Sequence, residues 1–421
     1  MGDLLRKYWK RYFRQLGLAL VGLFLVVGCY VPRTAGPTTG PVPANADLAE
    51  DISAKPTVCA EAYDSTKDYF PDKVTTEYAT GFSVDYHNHY KVVTVSDPWR
   101  GADRTFQYVL VQCGTPVPTG FVNAQIVEVP VKSVVALSTT QLPHLVILDR
   151  LETLVGVSQF ETVNTPEVRE KIERGEIQAL SSGAALDVER LLLADPDLVM
   201  TFGTGDADSD SHERLIAAGL PVALVSEYRE QTPLGRAEWL KFVALFFNQE
   251  RRSQQYFSEM VTAYESMKKL TADPSARPTV FSGFSYEGTW YMPGGNSYAA
   301  QLLADAGADY LWADIESNGS RPMDFEAVFE RSQAADFWVN MSQDWQRKED
   351  AIAADPRYGK LAALQNNKAY NNNAKLNQTG GNDYWESGLA NPDVILADLI
   401  KIFHPERLPD HDLVYYQPLK P

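Results

Sequence analysis

Side chains able to do chemistry are sparse in this chain and poorly arranged for catalysis. The stretch "GFSYEG", residues 283–288, nearly spells a nucleophile elbow, but position 287 is Glu where the G-x-S-x-G turn requires Gly. Ser285 therefore lacks the tight turn that would expose its hydroxyl. The only histidines after it, His404 and His411, fall near prolines close to the end of the chain. Direct capture of zinc or manganese would need three or four ligands converging at about 2.0–2.2 Å. His87 and His89 are spaced to share a strand face, yet Asn88 and polar neighbours make them read as a hairpin tip. None of the six histidines sits in a His-rich loop. Cys59 and Cys113 have no CxxC or CxH neighbour. Neither an enzyme nor a resident cofactor is expected.

The third cysteine has a different context. Arg6, Lys7, Lys10, Arg11 and Arg14 precede an apolar run from Leu16 to Val27. That run is shorter than the roughly 20 residues a spanning helix needs, and it reads as a secretory signal. Val26-Val27-Gly28-Cys29 resembles a bacterial lipobox, which implies a signal over 1–28 and a lipidated Cys29 on the extracytoplasmic side of a membrane. Residues 29–56 are rich in Pro, Gly, Thr and Ala and read as a flexible tether. In an exported chain the remaining cysteines are expected to form a Cys59–Cys113 disulfide. The formal charge of −17 excludes a nucleic-acid partner, which would require basic stripes to replace phosphate counterions.

A chain of 421 residues exceeds what one core usually supports. Residues 57–132 alternate β-branched and aromatic segments with Asp, Pro and Gly, predicting a small antiparallel β unit. From 133 the rhythm becomes strand, helix, strand: "SVVALST", "DVERLLLAD", "PDLVMTFG", "LPVALVSE". Continuous apolar strands alternating with helices predict a covered parallel sheet, here a first α/β lobe over 133–232. Residues 233–271 keep helical spacing, with Thr232 as N-cap and Pro233 at the first helical position, and predict one continuous linking helix. The alternation resumes in a second α/β lobe over 276–416. The fold class is thus α/β, with two parallel-sheet lobes joined by one long helix and a small N-terminal β unit.

"LETLVGVS", "DVERLLLADPDLV", "TPLGRAEWLKF" and "DYWESGLANPDVILADLIKIFHPE" give residues 133–416 a family likeness. They resemble the substrate-binding lipoproteins of ABC importers, in the rigid-hinge class that carries iron-siderophores, haem and vitamin B12. The resemblance implies a monomer that captures a ferric siderophore or similar bulky chelate and delivers it to a permease–ATPase complex. It also implies one exposed glutamate per lobe for permease docking: Glu189 in the first and Glu326 in the second, each opening a helix before a strand.

The ligand cleft of such a fold lies at the strand C-termini, where the lobes meet. In the first lobe the candidates are Ser138, Thr139, Thr140 and Phe202, with Tyr228, Arg229 and Arg236 at the entry to the linking helix. In the second they are Tyr286, Trp290 and Tyr291, then Asn340 and Trp345, then Asn382, Tyr384 and Trp385. Flat aromatic walls offer a large chelate apolar contact, and arginines complement its charge. Tyr291 and Trp385 sit among Gly and Asn rather than in apolar runs, and so are favoured over candidates embedded in core-like segments.

Overall fold

The computed structural model describes residues 59–182, 185–206, 209–273 and 277–421. The signal segment, Cys29 and the tether lie outside the described residues. Among the described residues no helix is long and apolar enough to cross a membrane.

The N-terminal unit is a four-stranded sheet. Strands β1 (Phe82–Tyr86), β2 (Tyr90–Val95) and β3 (Phe106–Gln112) form an antiparallel meander. β4 (Gln125–Val129), however, runs parallel to β3. The expectation of a wholly antiparallel unit is corrected there, because the long loop 113–124 carries the chain back along β3 to the end where that strand begins. A Cys59–Cys113 disulfide ties the first described residue to the end of β3.

The first lobe contains β5 (Val134–Ala136), α1 (Leu142–Ile147), β6 (Leu154–Val157), α2 (Pro166–Glu173) and β7 (Gln178–Ala179). A short hairpin, β8 (Ser181–Ser182) and β9 (Ala185–Leu186), leads to α3 (Val188–Ala194), β10 (Leu198–Thr201), α4 (His212–Ala217) and β11 (Val222–Leu224). The main sheet has the order β11-β10-β5-β6-β7 and is parallel throughout. β5, β10 and β11 are buried at every residue, as a sheet covered on both faces requires. One covering layer is the N-terminal unit, whose Phe82, Val93 and Tyr108 share a core with Val134, Leu145, Trp239 and Phe246. The unit also seals the edge strand: the Gln125 side-chain amide exchanges two hydrogen bonds of 2.8 Å with the backbone of Val222.

Residues 233–271 are not the one rod expected. They form α5 (Pro233–Leu245) and α6 (Glu250–Lys269), interrupted around Asn248, whose φ of 52° is left-handed. Asn tolerates that conformation better than most residues, and Lys91 from β2 stabilises the break. The Lys91 ammonium donates to the Leu245 carbonyl at the end of α5 (2.5 Å), to Asn248 Oδ1 and to the Glu250 carboxylate at the start of α6 (both 2.8 Å). Every residue of α5 except Arg236 is buried. The helix is therefore a core element of the first lobe, with Leu234 and Ala237 near its start also joining the core of the second, toward which α6 continues.

The second lobe contains β12 (Thr279–Ser282), β13 (Phe284–Tyr286), β14 (Thr289–Pro293), α7 (Tyr298–Asp305), β15 (Asp309–Tyr310), β16 (Ser320–Asp324), α8 (Phe325–Ser332) and β17 (Phe337–Val339). It is completed by α9 (Lys348–Ala354), α10 (Ala362–Gln365), β18 (Ala369–Asn371), α11 (Ser387–Ala390), α12 (Pro392–Phe403) and β19 (Gln417–Pro418). Its sheet has the order β15-β12-β17-β18-β19, parallel except for β19. A separate antiparallel sheet, β13-β14-β16, stands on this lobe. Besides α6, several side chains join the lobes, Glu386 and Asn377 among them. The buried Glu386 carboxylate accepts from the Asn164 and Thr165 amides (2.8 and 2.7 Å), and the Asn377 amide donates to the Glu161 and Val163 carbonyls (2.9 and 3.0 Å).

Candidate functional site

A cavity of about 720 Å³ opens between the lobes, lined from the first by Thr204, Tyr228, Arg229 and Arg236 and from the second mainly by β12–β14, α7, the loop before β16 and the loops after β17 and β18. Local sequence explains how the second lobe faces it. Gly283 takes φ +90° between β12 and β13, and a Cβ there would strike the Tyr291 carbonyl. The chain can thus double back into the β13–β14 hairpin. On β14 side chains alternate between faces: Trp290 and Met292 are buried, whereas Tyr291 is 47% exposed and lines the cavity. Asn340, at the end of β17, has φ 54° and is oriented by Tyr416, whose hydroxyl donates to Asn340 Oδ1 (2.6 Å). Trp385 is 48% exposed and meets buried Tyr384 edge-on, with 4.7 Å between ring centroids.

Charge in the cavity is one-sided. Arg100, Arg229 and Arg236 line it, and no Asp or Glu does among the described residues. Arg229 is neutralised, its Nε 3.1 Å and Nη2 3.0 Å from the Asp97 carboxylate. Arg236 stacks its guanidinium over the Tyr298 ring at 4.2 Å and donates to the Tyr228 carbonyl (2.9 Å), with no carboxylate in salt-bridge range among the described residues. Burial pushes the Tyr298 and Tyr384 hydroxyls well above the ordinary phenol range, so both stay neutral. The Glu227 carboxyl is likewise pushed up by burial, opposed by a 2.7 Å hydrogen bond from the Thr140 hydroxyl.

Of the candidates read from sequence, Tyr228, Arg229, Arg236, Tyr291, Asn340, Tyr384 and Trp385 converge on this cavity. Others lie elsewhere. Trp290 is 1% exposed, between Phe281, Phe325 and Trp338, with its indole N–H donating to the Ser282 carbonyl. Trp345 belongs to the same buried aromatic cluster. Both are corrected to core residues, because their strand phase or neighbours turn them inward. Phe202 and Tyr286 are exposed but outside the cavity wall. Asn382 is buried and acts as a support, accepting from the Tyr384 amide (3.1 Å) and donating to the Asn372 carbonyl (3.0 Å). Ser138 and Thr139 line a smaller hollow of about 250 Å³ with Ser158, Gln159 and Thr162, and Thr140 holds Glu227. Sequence reasoning missed Tyr298, Asn318, Gln343 and Arg100. A tyrosine following Ser297, the α7 cap, carries a detectable signal as a helix N-terminus facing a cleft; Arg100 carries none. The docking candidates Glu189 and Glu326 are exposed in the first turns of α3 and α8, and Glu326 pairs with Arg357 at 2.5 Å. Among the described residues no cluster of His, Cys, Asp and Glu is arranged to hold a metal ion.

Comparison with known proteins agrees with this architecture. Two uncharacterized lipoproteins of Methanocaldococcus jannaschii are 26% and 27% identical, over 68% and 75% of this chain and 68% and 80% of theirs. Among solved structures, a periplasmic binding protein of Veillonella parvula superposes with a TM-score of 0.53 at 14% identity, covering 75% of this chain and 98% of that one. A periplasmic heme binding protein of Pseudomonas aeruginosa gives 0.52 at 16% identity, covering 69% and 99%. A possible iron-binding (periplasmic solute-binding) protein of Staphylococcus epidermidis gives 0.52 at 16%, covering 65% and 99%. These likenesses concern the fold. The family model described as periplasmic binding protein matches residues 134–376, more than half of the sequence and both lobes around the cavity, and the chain accordingly belongs to the periplasmic binding protein family.

Proposed function

We propose that this protein is the extracytoplasmic receptor of an ABC import system and captures a bulky, anionic metal chelate of the ferric-siderophore kind. The observation carrying this reading is the cavity's composition: about 720 Å³, walled by Tyr291, Tyr384 and Trp385, with three arginines and, among the described residues, no acidic one lining it, in a chain whose net charge is −17. A positive cavity in an acidic protein selects a negative ligand. A small solute would leave most of that volume filled with water. An uncharged corrinoid such as vitamin B12 would leave Arg100 and Arg236 without a negative partner. Haem is the second reading: its propionates suit arginine, and the half-exposed Tyr291 phenol is of the type that ligates haem iron.

Delivery to the permease is assigned to Glu189 and Glu326, one exposed carboxylate per lobe, with the membrane anchor supplied through Cys29. Long-range attraction between such carboxylates and a basic patch orients an encounter. Reversal of both charges is expected to abolish uptake while leaving ligand affinity intact; normal uptake by the double variant would remove the assignment.

Thermal-shift screening against anionic ferric siderophores, haem and cobalamin tests the ligand. A ligand at a hundred times its Kd stabilises by roughly 2.7 kcal/mol. Stabilisation by cobalamin alone, or by none of the panel, would refute the reading.

A further inference from the structure

The N-terminal unit precedes the 134–376 family match, yet one of its residues, Arg100, lines the cavity. The β2–β3 loop, residues 96–105, is fastened to the first lobe before it reaches the cleft. Asp97 takes a forked bond from Arg229. The Pro98 carbonyl accepts from the Ser226 hydroxyl (3.1 Å) and the Tyr228 hydroxyl (3.4 Å). Trp99 packs so closely on Gly203 that a Cβ there would lie 2.6 Å from the indole, and it also contacts the rings of Phe106 and His212. With the loop so held, the exposed Arg100 extends to the second lobe. Its Nη2 donates to Asn318 Oδ1 (3.2 Å), and its guanidinium fills the space that a side chain at position 319 would occupy. Arg100 has no carboxylate in salt-bridge range among the described residues, unlike Arg229.

We propose that Arg100 is a specificity-determining ligand contact, which lets the appended β unit select anionic chelates across the cleft. The inference rests on the chelate-receptor reading above. A neutral amide is a weak partner for a guanidinium, which forms stronger, often bidentate bonds with carboxylate or catecholate oxygens. A negative ligand entering the cavity therefore replaces the Asn318 contact with a better one, whereas a cationic chelate meets repulsion. Because the loop is held by the first lobe, the position of Arg100 is set before the ligand arrives.

Calorimetric titration of wild-type protein, Arg100→Gln and the surface control Arg251→Gln with two chelates tests this. The probes are anionic ferric enterobactin and cationic ferrioxamine B. The expected result is that wild-type protein prefers the anionic chelate and that R100Q weakens it about ten- to hundredfold, the loss typical of one hydrogen bond to a charged group. R100Q should leave or improve ferrioxamine B affinity, and R251Q should change neither. Equal affinity of wild type and R100Q for ferric enterobactin, or an equal loss in R251Q, would overturn the assignment of Arg100 while leaving the receptor reading in place. Wild-type preference for the cationic chelate would also overturn it. Binding of neither chelate by wild-type protein would overturn both.

Discussion

Replacing Glu238 by Gln should loosen the N-terminal unit from the first lobe far more than its place on a helix would suggest. The Glu238 carboxylate is fully buried on α5. It accepts from the backbone amides of Glu77 (3.0 Å), Tyr78 (2.7 Å) and Ala79 (2.7 Å), and from the Lys241 ammonium (2.7 Å). Lys241, equally buried, also donates to the Thr75 carbonyl at 2.9 Å. The substitution leaves a buried ammonium without its counter-charge, at about 3–5 kcal/mol. The new NH₂ group also faces backbone donors, adding about 1–3 kcal/mol for the amides left unpaired. The sum, roughly 4–8 kcal/mol, approaches the whole stability of an ordinary domain. Lys241→Met should cost less, about 2–3 kcal/mol, because the carboxylate keeps its three amide donors. The E238Q/K241M pair should recover part of the single-variant loss, as coupled sites do. Urea unfolding gives the global cost, and amide exchange at residues 77–79 gives the local one. E238Q within about 1 kcal/mol of wild type, with those amides still protected, would refute the view that this carboxylate holds the unit in place.

Three further expectations follow from burial and covalent linkage. Tyr291→Ala should weaken chelate binding by about 1–3 kcal/mol with little change in stability, whereas Trp290→Ala should cost about 3–5 kcal/mol of stability; calorimetry and urea midpoints separate them, and a reversed pattern would contradict the β14 face assignment. His144 is buried on α1, its Nδ1 has no hydrogen-bond partner, and burial lowers its pKa from 6.5 to about 4. Since the unfolded chain takes up the proton first, the stability this group contributes is full above pH 6.5 and is lost as pH falls toward 4. The loss is on the order of 3 kcal/mol, and His144→Leu should flatten that slope in urea midpoints measured across the window; an unchanged slope would discount the residue. Reduction of Cys59–Cys113, which spans 54 residues, should cost roughly 4 kcal/mol from loop entropy, seen as a lower melting temperature with dithiothreitol; an unaltered melting curve would contradict it.

How much of the site was legible depends on whether its signal was local. Tyr291 and Trp385 were recognisable because aromatics set among Gly and Asn have no neighbouring apolar run to bury them. Trp290 was not, although the period-two rule already implies that it and Tyr291 face opposite ways; the hairpin had first to be seen as a strand. The helix over 233–271 kept its apolar spacing across the break, so spacing could not reveal it. The interruption comes from Lys91, more than 150 positions upstream, reaching the end of α5 and the start of α6.

The amino-acid order by itself determined the elements and their class. Apolar strand runs, capping residues such as Thr232 and Ser297, and first-turn prolines at 233 and 392 act over a few positions, and hydrogen bonding along one segment expresses them wherever it lies. Tertiary structure alone decided that the N-terminal unit shares the core of the first lobe, that Glu238 secures it, and that Arg100 stands in the cavity wall. Those outcomes arise between segments distant in the chain, more than a hundred positions apart for Glu238 with Ala79 and for Arg100 with Asn318, where close approach depends on how whole layers pack and leaves no periodic trace.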